Sequence, residues 1–178
     1  MKIQSTQFND LYTPRHAVTP ILKYIKQNST IWCPFDTEKS EFVKCLTEAG
    51  HNVIFSHIGY NQDFFTFEPT EQYDYIISNP PYSIKDKILT RLYQLNKPFM
   101  MLLPLTSLEG KYRNSLYEKY GIQLLVLDKR IDFTGKNANY FNTSYFCWNI
   151  LPNQIIFEKI EIDPTCAKQQ MKELGWEE

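Results

Sequence analysis

Short apolar runs alternate with longer amphipathic stretches along the chain. Continuous apolar runs are typical of strands that are buried on both faces of a sheet. The runs predict strands at 30–33, 52–57, 73–78, 98–103, 122–127 and 144–151, and an edge strand at 154–162.

Apolar residues at helical spacing fill the segments between these runs. In the first helix, Thr13 is the expected cap, Pro14 lies in the first turn, and an apolar stripe begins at Val18. The later helices are predicted at 38–49 with Gly50 as the stop, after a capping box at 83–86, after a second capping box at 106–109 with Gly121 as the stop, and at 167–174.

Strands that alternate with helices predict the α/β class, with a mostly parallel sheet covered by helices on both faces. The length predicts a single domain over 1–178. Its core is expected at about 12–151 and a tail at 152–178, without a separate target-recognition domain.

Charge and cysteine content narrow the functional classes. The formal net charge is -1, so the chain has no global signature of a nucleic-acid binder, although 111–136 carries six basic and three acidic residues. The four cysteines form no Cys-x-x-Cys pair, and the histidines show no metal-ligand spacing, so buried free thiols and no metal site are expected. No apolar stretch resembles a signal peptide or a membrane span, so a soluble cytoplasmic protein without a membrane partner is expected.

The segment Asn79-Pro80-Pro81-Tyr82 follows the predicted strand 73–78 directly. It has the form of the tetrapeptide with which amino methyltransferases hold a planar nitrogen. The Asn79 side-chain oxygen and the Pro80 carbonyl can each accept an N–H bond from an exocyclic amino group, which localises the nitrogen lone pair. The two prolines fix the backbone beforehand, and Tyr82 offers a face for stacking. The alternative is an ordinary proline-rich turn.

Pro34, Phe35 and Asp36 follow the first predicted strand. The Gly-x-Gly-x-x-Gly fingerprint is absent there, which argues against a dinucleotide site. Asp36 can accept from the ammonium of a bound methionine moiety, or it can cap the following helix. Asp63 and Phe64 can bind and cover an adenine ring, or they form a loop with a buried aromatic.

Together, these motifs make the chain resemble the Rossmann-fold amino methyltransferases, and most closely the phage-type DNA N6-adenine methyltransferases. The resemblance covers about 12–151. It implies a Rossmann-like fold, S-adenosylmethionine as cofactor, and methyl transfer to the N6 amino group of adenine in DNA after base flipping. Tyr12, Thr13 and Pro14 resemble the motif that contacts the cofactor's carboxylate, and Phe141 stands where an aromatic supports the extruded base.

The remaining motifs match the same family. Residues 32–36 resemble its first cofactor motif in the glycine-poor form, and 59–65 resemble its adenine-binding motif. Asn79 is expected to contact the cofactor as well as the target base.

The chain departs from the family at several positions. The acid that usually binds the ribose after the second strand is replaced by Ser56 and His57, so either His57 or Asp36 is expected to bind the ribose. Because no recognition domain follows, Lys129 and Arg130 are the expected phosphate contacts.

DNA is the expected partner, in the setting of restriction and modification. The alternatives are the same chemistry on RNA adenine or on a protein glutamine, and a non-catalytic, cofactor-binding accessory subunit. RNA or a specificity subunit is the alternative partner.

Overall fold

The computed structural model describes residues 13–133 and 142–161, and within them one sheet of seven strands. The strands are β1 (Thr30–Cys33), β2 (Asn52–Phe55), β3 (Tyr75–Ser78), β4 (Phe99–Pro104), β5 (Gln123–Leu127), β6 (Thr143–Trp148) and β7 (Ile155–Glu158). The α-helices are α1 (Arg15–Val18), α2 (Glu41–Glu48), α3 (Lys85–Leu95) and α4 (Lys111–Tyr120). Short 3₁₀ helices lie at Thr19–Tyr24, Ile58–Tyr60, Tyr82–Ile84 and Leu105–Leu108.

The strand order is β2-β1-β3-β4-β6-β5-β7. β1 pairs in parallel with β2 and β3, β3 with β4, and β5 with β7, whereas β6 is antiparallel to both β4 and β5. The predicted α/β fold with a mostly parallel sheet is therefore confirmed.

Neighbouring residues of each strand point to opposite faces of the sheet. Ile31 and Cys33 belong to an apolar cluster with the buried residues of α1 and α2. Trp32, between them, belongs to a second cluster that contains the buried face of α3. Helices thus cover both faces, and each fully buried Leu or Ile contributes about 1.5–3 kcal/mol through loss of water contact.

The first helix differs from its prediction. Pro14 is the N-cap of α1, and Thr13 does not cap it. The α-helix ends at Val18 and continues as a 3₁₀ helix that has Pro20 in its first turn. Proline has no N–H for the bond that an α-helix needs inside its length.

The predicted starts of three other helices are also wrong. α2 begins at Glu41 rather than at 38, because the Ser40 hydroxyl accepts from the Phe42 N–H and caps the helix there. Neither predicted capping box forms, since Ile84 and Gly110 are the N-caps of α3 and α4 and neither makes a side-chain cap bond. Gly110 has φ +115°, which glycine adopts without a steric penalty, so the turn places the start of α4 at Lys111.

Other predictions are confirmed with shifted bounds. The edge strand exists as β7, and β6 spans Thr143–Trp148 rather than 144–151. Cys33, Cys45 and Cys147 are buried free thiols. The predicted helix at 167–174 lies outside the described residues. In the described part of the chain, no helix is long and apolar enough to cross a membrane.

The side chain of His51 is buried and has no hydrogen-bonding partner among the described residues. The side chain is 5% exposed, and neither ring nitrogen has a partner among the described residues. Burial lowers the pKa of His51. The folded protein therefore keeps this ring neutral, and stability is lost as the pH falls below the pKa of the unfolded histidine.

We predict that His51→Leu raises the free energy of unfolding by about 1–2 kcal/mol, because an unpaired buried polar group is removed. The gain in the free energy of unfolding should be larger at pH 5 than at pH 8. At pH 5 the histidine of the unfolded wild type is protonated and must lose its proton to fold, whereas the leucine variant has no such cost. Urea denaturation at the two pH values measures both effects. An equal gain at the two values would contradict the titration argument.

Candidate functional site

The chain reverses its direction of travel across the sheet between β1 and β3. From β1 it crosses to β2 on one side and then returns to β3 on the other side. Ligands of such sheets bind outside the carboxyl ends of the strands at this switch point. Residues 34–36 leave β1 there, and Asn79 leaves β3 beside them.

Asp36 is the buried acid of this site. Its carboxylate accepts hydrogen bonds from the hydroxyls of Ser40 and Ser78. The side chain is 7% exposed, and burial raises the pKa of Asp36 to about 6, although both hydrogen bonds act in the opposite direction. Ser40, not Asp36, is the N-cap of α2, so the capping alternative for Asp36 is wrong.

Asn79 begins the tetrapeptide in the expected strand–turn–helix setting. Its Nδ2 donates to Thr13 Oγ1 over 3.1 Å, which ties the N-terminal segment to the end of β3. Its Oδ1 is buried and receives no hydrogen bond from any described residue. A buried acceptor without a donor costs about 1–3 kcal/mol.

The other three residues of the tetrapeptide lead from β3 into the next 3₁₀ helix. Pro80 is buried, and Pro81 is the N-cap of the 3₁₀ helix that starts at Tyr82. Tyr82 packs against the apolar cluster around α3, and burial raises its pKa, so its ring is neutral at physiological pH.

Several aromatic side chains pack together at the loop after β2. The Phe64 ring is 2% exposed and lies 4.9 Å from the Phe35 ring and 5.5 Å from the Trp32 ring, measured between centroids. Asp63 Oδ1 accepts from the Phe65 N–H over 3.0 Å and shapes the turn. Phe64 is therefore a buried aromatic of a loop, and the half-buried Phe35 is the ring of the pair that keeps exposed surface.

Ser56 and His57 have different surroundings. Ser56 is fully buried, and its hydroxyl accepts from Trp32 Nε1 over 2.9 Å. His57 Nδ1 accepts from the Gly59 N–H over 3.0 Å, so Nε2 is the ring nitrogen that a ligand can use.

The predicted phosphate contacts lie on the same edge of the sheet as Asn79. β5 runs in the same direction as β4, and Lys129 and Arg130 follow its carboxyl end as exposed residues. Lys129 Nζ donates to the Ile160 carbonyl over 2.9 Å. Tyr12 and Phe141 lie outside the described residues.

Two serines at the site were not predicted. Ser40 and Ser78 hold both oxygens of Asp36. The signal for Ser78 was a polar residue at the end of an otherwise apolar run, immediately before Asn79.

Comparison with known proteins places the fold. No protein-family model matches the sequence, and no curated protein matches it. A Listeria monocytogenes structure, assigned to the class I S-adenosylmethionine-dependent methyltransferases, matches with a TM-score of 0.52 at 11% identity, over 96% of this chain and 73% of that one. This likeness establishes the fold that the sequence predicted.

Two longer proteins are also similar. The methyltransferase subunit of a type I restriction-modification system from Streptococcus thermophilus matches with a TM-score of 0.49 at 14% identity, over 96% of this chain and 54% of that one. A subunit from Vibrio vulnificus, assigned as the modification subunit of a type I restriction enzyme, matches with 0.47 at 12%, over 97% and 53%. The chain spans about half the length of these two subunits.

We predict that Asp36→Asn stabilises the protein at pH 8 by about 1–3 kcal/mol, because an amide carries no charge to bury. The folded protein holds the Asp36 proton more tightly than the unfolded chain, so the wild type loses stability as the pH rises through the interval up to about 6. Denaturation at pH 4.5 and pH 8 should show the gain only at the higher value. A variant that is destabilised equally at both would show that the carboxylate is not the group that titrates.

Proposed function

We propose that the chain transfers a methyl group from S-adenosylmethionine to the exocyclic N6 amino group of adenine in DNA. The observation that carries the proposal is Asn79 Oδ1, a buried acceptor that has no donor among the described residues and lies at the switch point of a methyltransferase fold. Pro80 and Pro81 follow Asn79 directly and fix the backbone in a conformation in which this acceptor can contact an amino nitrogen.

The substrate side of the site is made by four consecutive residues. Asn79 Oδ1 and the Pro80 carbonyl accept the two N–H bonds of the amino group, and these bonds favour the positive charge that develops on nitrogen. The base stacks on Tyr82 after it has left the duplex, which offsets part of the few kcal/mol that flipping costs. Neither acceptor is a base, so the proton of the methylated nitrogen leaves to solvent.

The residues that follow β1 offer hydrogen-bond acceptors and an aromatic surface that suit the cofactor. Each oxygen of Asp36 accepts one serine hydroxyl and keeps a further lone pair for an ammonium or a ribose hydroxyl. Phe35 offers an aromatic surface, and Thr13 and Pro14 lie at the Asn79 side chain, where the cofactor's carboxylate is expected. The bound cofactor supplies an electrophilic sulfonium methyl, so positioning is the main task of the protein.

His57 is the second candidate for the ribose, through Nε2. Lys129 and Arg130 are proposed to contact DNA phosphates at the same edge of the sheet.

Labelled methyl transfer tests the reaction. Incubation with tritiated S-adenosylmethionine and unmethylated DNA, followed by nucleoside analysis, should place the label in N6-methyladenine. If the label appears in RNA or in protein glutamine instead, the same mechanism acts on that acceptor and not on DNA. Cofactor binding without transfer to any of the three would favour an accessory subunit.

We predict that Asn79→Ala lowers kcat about 10²–10³-fold, because one of the two acceptors for the amino group is lost. Asn153→Ala is the matched control, since Asn153 is exposed beside the start of β7, at the opposite edge of the sheet. The control should keep wild-type turnover. Full methyl transfer by Asn79→Ala would refute the assigned role.

A further inference from the structure

A groove of about 380 Å³ runs along α3, the helix that follows the Asn-Pro-Pro-Tyr segment, and none of that segment's residues lines it. Its floor is a polar stripe of α3 that includes Lys87, Thr90 and Arg91. Phe65, from the loop after β2, and Tyr112, from the first turn of α4, form its sides. α3 starts at Lys85, three residues after Tyr82, so the Asp86 and Lys87 end of the groove is the end nearest to the tetrapeptide along the chain.

The groove carries uncompensated positive charge. In the described part of the chain, neither Lys87 nor Arg91 forms an ion pair. The carboxylate in the lining, Asp86, is paired with Arg113 over 2.5 Å. The lysine and the arginine therefore set the sign of the local field.

The hydrogen-bonding groups in the groove suit an anion. Arg91 Nε is buried and has no acceptor among the described residues, while Nη2 donates to the Phe67 carbonyl over 3.4 Å. The Thr90 hydroxyl donates to the Asp86 carbonyl over 2.8 Å and accepts from the Tyr112 hydroxyl over 2.7 Å, so these two groups join α3 to α4 across the groove and the charged side chains are left as its donors. Arginine and lysine side chains are among the groups that contact DNA phosphates.

The two helices add to the same field. α3 and α4 both begin without a side-chain cap, so their first N–H groups keep part of their positive potential. Phe65 and Tyr112 provide rings beside the charge, and charge with interleaved aromatics is typical of grooves that follow a nucleic-acid strand.

We propose that this groove binds the phosphodiester backbone of the DNA strand that carries the target base. The inference rests on the proposed function for the identity of the substrate. It adds a path for the strand that does not run through Lys129 and Arg130, and it names Lys87 and Arg91 as the residues that hold it.

The test uses Lys87→Gln and Lys87→Glu, because Lys87 is exposed and forms no ion pair among the described residues, whereas Arg91 packs over the Phe64 ring. Lys26→Gln and Lys26→Glu are the controls, since Lys26 is exposed before the start of β1 at the opposite edge. Fluorescence anisotropy with labelled DNA gives Kd as a function of salt, and calorimetry gives cofactor affinity.

Lys87→Gln should weaken DNA binding about three- to tenfold at low salt, and Lys87→Glu more. The slope of log Kd against log salt should fall by about 0.7 for a single strand or 0.9 for duplex. Cofactor affinity should not change in any of the four variants. The proposal that the groove binds DNA would be refuted if both Lys87 variants had the DNA affinity and the salt slope of the wild type.

This failure is distinct from failure of the proposed function. If the Lys87 variants lose DNA affinity but the wild type methylates no DNA, the groove stands and the reaction is wrong. If the wild type methylates DNA and the Lys87 variants bind it normally, the reaction stands and the groove is wrong.

Discussion

The hydrogen bond from Ser78 to the buried Asp36 carboxylate is the contact on which the site depends. It joins the carboxyl ends of β1 and β3, the two strands that flank the switch point. Because Asn79 is the next residue after Ser78, the same bond fixes the distance between the Asp36 carboxylate after β1 and the Asn79 amide after β3. Ser40 holds the other carboxylate oxygen and brings the start of α2 to the same point.

This arrangement is costly for the isolated chain. A carboxylate is kept out of water at Asp36, and the Asn79 oxygen is buried without a donor among the described residues. Apolar residues of similar shape would stabilise the fold more. In the proposed function, a cation bound at the first group and an amino group bound at the second would recover the free energy that folding gives up.

Much of this could be predicted from the sequence, where local signals were strong. The apolar runs located the strands, and the Asn-Pro-Pro-Tyr segment follows β3 in the predicted strand–turn–helix setting. The errors came from competing local signals: Pro20 shortens the first α-helix, and Gly110 sets the start of α4 in place of the predicted capping box. The antiparallel direction of β6 and the Ser78–Asp36 bond depend on contacts between distant parts of the chain, which no local pattern contains.

The central claim is that the Asp36 carboxylate receives the positively charged or hydroxylated end of the cofactor. Calorimetric titration with S-adenosylmethionine between pH 5 and pH 8, for the wild type and Asp36→Asn, tests it directly. The account predicts that wild-type affinity rises with pH and levels off above about 6, where the carboxylate is ionised, and that the variant binds weakly at every pH. Equal affinity of the two proteins, with no dependence on pH, would contradict it.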